Sequence, residues 1–391
     1  MKIGLVLPDI PKYSETFFNY KIKSLSESGL EVKVFSGEKS EEKHFFKHYS
    51  SYPVYKNKKI KQLLLFIFVL GKTFIKAPAR SVRLVSEEIK SGNNLMQSLR
   101  ILYMNAHIIT HNLDWLHFGY ATMSLKRENV ARIIGAKMGV SFRGYDINIY
   151  PLKNPGCYKK LWNNVDKVHT ISDYLYRKAV NLGLSERTDY NKITPAIDSS
   201  LFRFKSNAGK INTPLRILTV GRLNWIKNYE TAIAAVNILI KSGLDVRYEI
   251  IGTGQEFERL KFAVYQSGLD EKVNFKGKLN HKEITLRMQE SDIYLQTSYQ
   301  EGFCVSVLEA QATGLLCIVS DADGLKENVI DGETGWIVNK RDPAAFAEKI
   351  QEVINLPEEQ RKKTAINARK RAEMEFNLEQ QKSKFIKFFT E

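Results

Sequence analysis

The sequence predicts an α/β protein built from two Rossmann-like, doubly wound domains. Three observations carry that reading. At 391 residues the chain is longer than one ordinary domain. Short apolar runs suited to buried parallel strands alternate with longer stretches of helical periodicity. A polar segment at 203–210 divides two such series, and the charge changes there as well. Residues 1–205 carry 33 Lys and Arg against 17 Asp and Glu, whereas residues 206–391 carry 26 of each. The domains are therefore placed at 1–200 and 201–375, with a charged helical tail at about 376–391 packing back on the first.

In order, 3–8 reads as a first strand, 9–16 as a loop, 16–28 as a helix ended by Gly29, and 32–35 as the next strand. The stretch 43–100 is largely helical by pattern. Further strand ends are assigned at 108–109 leading to 115–118, at 137–142 and at 168–172, with Ser172 opening a helix to Leu182. After the linker, strands are expected at 215–221, 248–252, 273–275, 292–296, 316–320 and 335–338. Helices at 229–242, 255–267 and 281–290 separate them. The tail from Arg361 to Phe389 is helical, broken near Asn377 and Leu378.

Several function classes fall away. Three widely spaced cysteines (Cys157, Cys304, Cys317) give neither a disulfide framework nor metal-ligand spacing, which points to a reducing compartment and to no bound metal. The apolar start is too short for an export signal and runs into a polar turn. The sequence holds no zinc signature, serine elbow or P-loop, and the first strand–helix turn has no G-x-G-x-x-G, which argues against a dehydrogenase. A recognised nucleic-acid module is missing too, so nucleic acid is not an expected partner.

Residues 43–86 hold ten Lys and Arg and no Asp or Glu, around the apolar run 63–70. That run is short of the about 20 residues needed to span a bilayer. Two readings remain open: an interfacial helix on an anionic membrane, or a core helix with a basic collar.

The strongest local signal is Gln300-Glu301-Gly302-Phe303-Cys304-Val305-Ser306-Val307-Leu308-Glu309. A strand, a Gly-containing turn and a helix start bring amide N–H groups and a positive dipole end to one edge of a sheet, with a carboxylate before the turn and another in the helix. Val305, Leu308 and Ala312 share one helix face in this pattern. The arrangement suits a phosphorylated polyhydroxyl ligand, and it equally describes an acidic cap followed by a solvated glutamate. In the loop after 215–221, Gly221, Arg222 and Lys227 place two cations five residues apart, able to neutralise a pyrophosphate, the alternative being surface charges on a loop; their place after a buried strand favours the first. In the first domain, His117, Arg143 and Asp146 fall at strand ends, where structural and functional roles are equally open.

These motifs resemble the retaining, nucleotide-sugar-dependent glycosyltransferases of group 1 (family 4), whose fold is the two-domain GT-B architecture. The resemblance covers nearly the whole chain. It rests on the two glutamates Glu301 and Glu309, on Val220-Gly221-Arg222-Leu223 with Lys227, and on Gly332-Glu333-Thr334-Gly335-Trp336. Ser14-Glu15-Thr16-Phe17 and His117-Phe118-Gly119 resemble the exopolysaccharide, colanic-acid-type branch. By this resemblance, Arg222 and Lys227 bind the donor diphosphate, and Glu309 holds the ribose hydroxyls. Glu301 holds the donor sugar with Gly302, Phe303, Cys304 and Val305, and Gly277, Lys278 and Leu279 lie beside the base. Ser14, Glu15, Thr16, His117, Arg143 and Asp146 face the cleft and the acceptor. Two departures touch the identity of the donor sugar: Pro11-Lys12-Tyr13-Ser14 stands where many relatives carry a Gly-Gly pair, and Arg143 where many carry a His.

The resemblance implies transfer of a sugar, with retained configuration, from a nucleoside-diphosphate sugar to a glycan or polyprenyl-diphosphate-linked acceptor in surface polysaccharide synthesis. It implies no cofactor and no metal, with Arg222, Lys227 and Glu301 carrying the chemistry. It also implies a cytoplasmic protein, peripheral on the inner face of an anionic membrane. The alternatives are a sugar-nucleotide or glycan-binding protein without turnover, or another GT-B enzyme such as an epimerase or a phosphorylase.

Overall fold

The structure, a computed structural model, describes residues 1–11, 16–37 and 44–391. It divides into two units, one of Met1–Ile193 with Lys382–Glu391 and one of Thr194–Gln381.

The first unit holds a seven-stranded parallel sheet: β1 (Lys2–Val6), β2 (Glu31–Ser36), β3 (Lys47–Ser50), β4 (Trp115–Phe118), β5 (Lys137–Phe142), β6 (Lys167–Thr170) and β7 (Asp189–Lys192). Their order across the sheet is β3-β2-β1-β4-β5-β6-β7. Among the inner strands, β1 and β5 are largely buried apolar runs, while β2 and β6 mix buried apolar residues with charged and polar ones. The two edge strands escaped the sequence reading. Lys-His-Tyr-Ser in β3 and Asp-Tyr-Asn-Lys in β7 contain no apolar run, as befits edges that bury little.

Between β3 and β4 the chain forms three helices, Lys59–Lys76, Pro78–Lys90 and Leu95–Ile109. The expected strand end at 108–109 is the last turn of the third. That helix starts at a capping box in which the Asn94 side chain and Gln97 satisfy each other's backbone N–H groups. A buried apolar pair at a helix end and one in a strand look the same in sequence.

Residues 382–390 come from the helix Leu378–Thr390 and add Phe385, Phe388 and Phe389 to the first unit's core. The Trp115 Nε1 donates to the Phe389 carbonyl at 3.0 Å. The preceding helix, Glu358–Glu375, ends two residues earlier, so the break near Asn377 is present.

In the second unit, β8 (Leu215–Val220), β9 (Val246–Ile251), β10 (Val273–Gly277), β11 (Ile293–Gln296), β12 (Leu316–Ser320) and β13 (Trp336–Val338) form a parallel sheet ordered β10-β9-β8-β11-β12-β13. This is the Rossmann order, and it reverses between β8 and β11. The helices Tyr229–Lys241 and Pro343–Asn355 pack together and bury Ile233, Val236, Phe346 and Ile350 in one core. The helix Val305–Thr313 packs against Glu358–Glu375. The expected apolar face of Val305–Thr313 needs correction. Val305 is exposed at its start, while Val307, Leu308, Ala310 and Ala312 are buried on several sides. Among the described residues no helix is long and apolar enough to cross a membrane.

Candidate functional site

Where strand order reverses, the loops leaving the two central strands part, and a ligand can reach backbone between them. In the second unit these are the loop 221–228 after β8 and the loop 297–304 after β11. They are tied to each other. The Asn228 Nδ2 donates to the Thr297 carbonyl at 3.1 Å, the Thr297 hydroxyl donates to the Asn228 carbonyl at 2.8 Å, and the Tyr299 N–H donates to Ile226 at 2.8 Å. Asn228 has a φ of 52°, the left-handed conformation that asparagine tolerates better than most side chains.

This framework joins Lys227 to Glu301. The Lys227 Nζ lies 2.6 Å from Glu301 Oε1, and both side chains are largely buried. Glu301 is oriented further by a polar relay: Gln296 Nε2 donates to Ser298 Oγ at 2.7 Å, and Ser298 donates to Glu301 Oε1 at 2.8 Å. Burial works against the Lys227 ammonium, but the Glu301 carboxylate outweighs it and holds its pKa above the usual range. Arg222 on the same loop is exposed, and its guanidinium has no partner among the described residues.

Three glycines meet along the carboxyl edge of the sheet. The Gly252 N–H donates to Gly277 and the Gly221 N–H to Ile251. Gly252 has a φ of +144°, and a Cβ there would lie 1.9 Å from the Gly221 oxygen. Only glycine fits, so Gly252 in Gly252-Thr253-Gly254 marks a close backbone approach. Gly277, with a φ of +67°, ends β10 at the same edge; Lys278 is exposed and Leu279 half-buried.

The turn before the helix Val305–Thr313 is clamped by a residue the sequence reading passed over. Asn328 accepts from the Cys304 N–H at 2.9 Å and donates to the Cys304 carbonyl at 3.0 Å. The Cys304 amide, expected to face a ligand, is therefore occupied. The Gly302 and Phe303 amides make no hydrogen bond among the described residues. Gly324 presses on this turn, donating to the Glu301 carbonyl at 3.0 Å, and a Cβ there would strike the Gly302 oxygen at 2.2 Å. Glu309 is half-buried one turn into the helix, its carboxylate lacks a partner among the described residues, and burial pushes its pKa up to about 7.

With the loops placed, residues 202–371 match the family described as glycosyl transferases group 1. The second unit is a group 1 glycosyltransferase domain. Over its whole length the chain is similar to a putative colanic acid biosynthesis glycosyltransferase of Escherichia coli K12, at 25% identity over 96% of each chain. It is also similar to an amylovoran biosynthesis glycosyltransferase of Erwinia amylovora, at 26% identity over 89% of each. The Anabaena protein Alr3699/HepE, solved in complex with UDP-glucose, matches with a TM-score of 0.72 at 16% identity, covering 99% of this chain and 98% of that one. The fold is GT-B, two Rossmann-like units in one chain, and the chain stands among the glycosyltransferases.

The first unit of this glycosyltransferase puts its expected residues to different uses. Ser14 and Glu15 lie outside the described residues, as does the side chain of Thr16, which opens the helix Thr16–Glu27. His117 was expected at a cleft but is fully buried in β4. Its Nε2 lies 3.0 Å from Lys21 Nζ and 2.8 Å from Ser141 Oγ, and Ser141 lies 2.8 Å from His169 Nδ1. His169 Nε2 faces the Ile193 carbonyl at 3.0 Å and so must donate. With neutral imidazoles, Ser141 donates to His169 and the single Nε2–H of His117 goes to Ser141, while Lys21 Nζ lies beside that nitrogen. Burial, and then nearby Arg143, push the Lys21 pKa well below its usual range. Lys21, Ser141 and His169 carried no sequence signal, because the network forms across three strands and a helix.

Asp146 is likewise inside. Its carboxylate accepts from the Ala121 N–H at 2.7 Å and the Arg143 N–H at 2.8 Å, joining the loops after β4 and β5. Burial pushes its pKa up to about 7 despite those bonds. Both oxygens are spent on backbone, which corrects the expectation of a ligand-facing aspartate. Arg143 leaves the end of β5 with its guanidinium 4.0 Å from the Phe17 ring centre, and its Nε and Nη2 are buried without a hydrogen bond. Among the described residues no cluster of His, Cys, Asp and Glu has the makings of a metal site.

Proposed function

We propose that this glycosyltransferase moves a sugar from a nucleoside-diphosphate sugar to a hydroxyl of a glycan or polyprenyl-diphosphate-linked acceptor, with retained configuration, in exopolysaccharide synthesis. The observation that carries the reading is the Lys227–Glu301 pair at the strand reversal, beside the unpartnered Arg222 and the open Gly302 and Phe303 amides. An arriving diphosphate offers Lys227 a second anion. As Lys227 turns to it, Glu301 is released to accept from sugar hydroxyls, so one exchange arms both ends of the donor. Arg222 adds charge where the leaving group gains it, which is the hard part of breaking a glycosyl–phosphate bond.

Under this reading Glu309 takes the ribose hydroxyls and Gly277, Lys278 and Leu279 flank the base. The departing phosphate takes the acceptor's proton, so neither a separate base nor a metal is required. The UDP-glucose complex of the structurally similar HepE supports a nucleotide-sugar donor. The names of the colanic acid and amylovoran relatives support the pathway, and with it a cytoplasmic site at the inner membrane face.

The test is donor consumption by the purified chain. Thermal-shift screening of nucleoside diphosphates and their sugars selects the donor, and release of nucleoside diphosphate with and without acceptor then reads turnover. Binding without release would favour the non-catalytic sugar-nucleotide binder. Products of inverted configuration would overturn retention.

A further inference from the structure

The helix Lys59–Lys76 packs only one side onto the first unit. Val69 and Thr73 are buried, and Leu65, Phe66 and Leu70 lean on a small cluster with Tyr103 and Ala106. The opposite side carries Ile60, Leu63, Leu64, Ile67, Phe68 and Ile75, each between 58% and 83% exposed. At 100° per residue these six side chains form one stripe along the helix. A contiguous apolar face of that kind on a polar protein marks a docking surface.

The charges around it select the occupant. Residues 43–86 contain ten Lys and Arg and no acidic residue. Lys61 and Lys72 border the stripe, and the Lys72 Nζ lies 5.9 Å from the Phe68 ring centre. Beyond Lys72 opens a cavity of about 520 Å³ lined by Lys72, Lys76, His48, His107, His111 and Ser50 among others, with no carboxylate among the described residues of its wall. Burial, and then the charges of Lys33 and Lys76, push the His111 pKa down to about 4, and the cations lining the cavity are Lys72 and Lys76. A second copy of this chain would bring like charges against like. An anionic bilayer would satisfy both features, the apolar stripe entering the acyl boundary and the lysines meeting headgroup phosphates.

We propose that the helix Lys59–Lys76 docks the protein on anionic phospholipid, with the stripe inserted and the cavity at Lys72, Lys76 and His111 receiving a lipid phosphate. This names the membrane partner of the reading above but does not depend on sugar transfer, since its test reads lipid binding alone.

The experiment is flotation of the full chain with phosphatidylcholine vesicles, with and without phosphatidylglycerol. Binding is expected only with the anionic lipid, weakening as salt rises through the range where exposed charges are screened. The double substitution Leu64→Asp with Ile67→Asp should reduce partitioning by about tenfold or more, because both inserted apolar groups become charged. Lys72→Glu with Lys76→Glu should remove the preference for anionic vesicles. All four positions are apolar-stripe or cavity-rim residues, and unchanged circular dichroism and melting separate lost docking from lost folding. Equal binding to neutral vesicles, or wild-type binding by both variants, overturns the proposal. So does a dimer in light scattering that the Leu64 and Ile67 changes dissociate without altering flotation.

Discussion

Lys227 Nζ and Glu301 Oε1 are 2.6 Å apart although their residues are 74 positions apart in sequence. Each comes from a loop on one side of the strand reversal, so the ion pair measures whether those loops are correctly set. Its geometry gives the first expectation. Lys227→Ala removes the charge meant for the diphosphate and leaves Glu301 an unpaired, largely buried carboxylate. Turnover should fall by about 10²-fold or more, as for loss of a main electrostatic contact to a leaving group. Lys227→Arg should recover part of it. Near-normal turnover by Lys227→Ala would remove Lys227 from the mechanism.

Glu309 predicts a pH dependence. Its folded pKa of about 7 lies above its ordinary value, so the folded state holds the proton more tightly than the unfolded one. Its penalty to stability is absent below the ordinary carboxylate range and grows as pH rises through 7. Glu309→Gln should therefore melt higher than the wild type at pH 8, with the gap closing near pH 4. If ionised Glu309 accepts from the ribose, donor KM should fall as pH rises through 7, and Glu309→Gln should abolish that slope. Calorimetry and steady-state kinetics at matched pH check both.

Gly252→Ala tests the glycine contact at the sheet edge. A Cβ placed 1.9 Å from the Gly221 oxygen cannot be accommodated without moving the loop that carries Arg222 and Lys227. A loss of about 2–4 kcal/mol in denaturant unfolding, with weakened nucleotide binding, is expected. Gly268→Ala, with nothing within 4 Å of its Cβ and the strain of its positive φ alone, should cost less and leave binding intact.

Asn328→Ala tests the clamp on the turn. Both the N–H and the carbonyl of buried Cys304 would lose their partner, at a cost of about 1–3 kcal/mol for each group left unmade. The melting temperature should drop, and with it the rigidity of the amides at Gly302 and Phe303. Asn328→Asp keeps the acceptor and loses the donor, so it should fall between.

Phe388→Ala removes a fully buried ring that the last helix contributes to the first unit. A destabilisation of about 3–5 kcal/mol is expected from the cavity and lost transfer energy. Limited proteolysis should then cut within the first unit before the second.

The parts legible in the sequence were those where one local pattern sufficed. Strand Leu316–Ser320 and helix His281–Glu290 fall on their expected bounds, because an apolar run and an amphipathic period each announce themselves. The GT-B fold and the group 1 glycosyltransferase domain were likewise readable. Illegible were features made by partners distant in the chain. β3 and β7 pair through backbone and show no apolar signature. Asn328 acts on Cys304 from 24 residues away, and nothing in its neighbours marks it. His117 and Asp146 looked like cleft residues by position alone, yet three-dimensional neighbours claim their polar atoms. The exposed face of Lys59–Lys76 could not be told from a core face until its packing was known.

Residues 385–389 complete the core laid down by β1 and β4, which has a bearing on biosynthesis. As a ribosome makes this chain, the second unit can close while Trp115 and the ring of Phe17 still lack their covering helix. The portion translated earlier is then the later one to mature. For the interval needed to make nearly 200 residues it presents sticky surface to chaperones, at about 5–20 residues per second. Translation that stalls before residue 385 leaves a first unit without the Phe385, Phe388 and Phe389 rings that close its core.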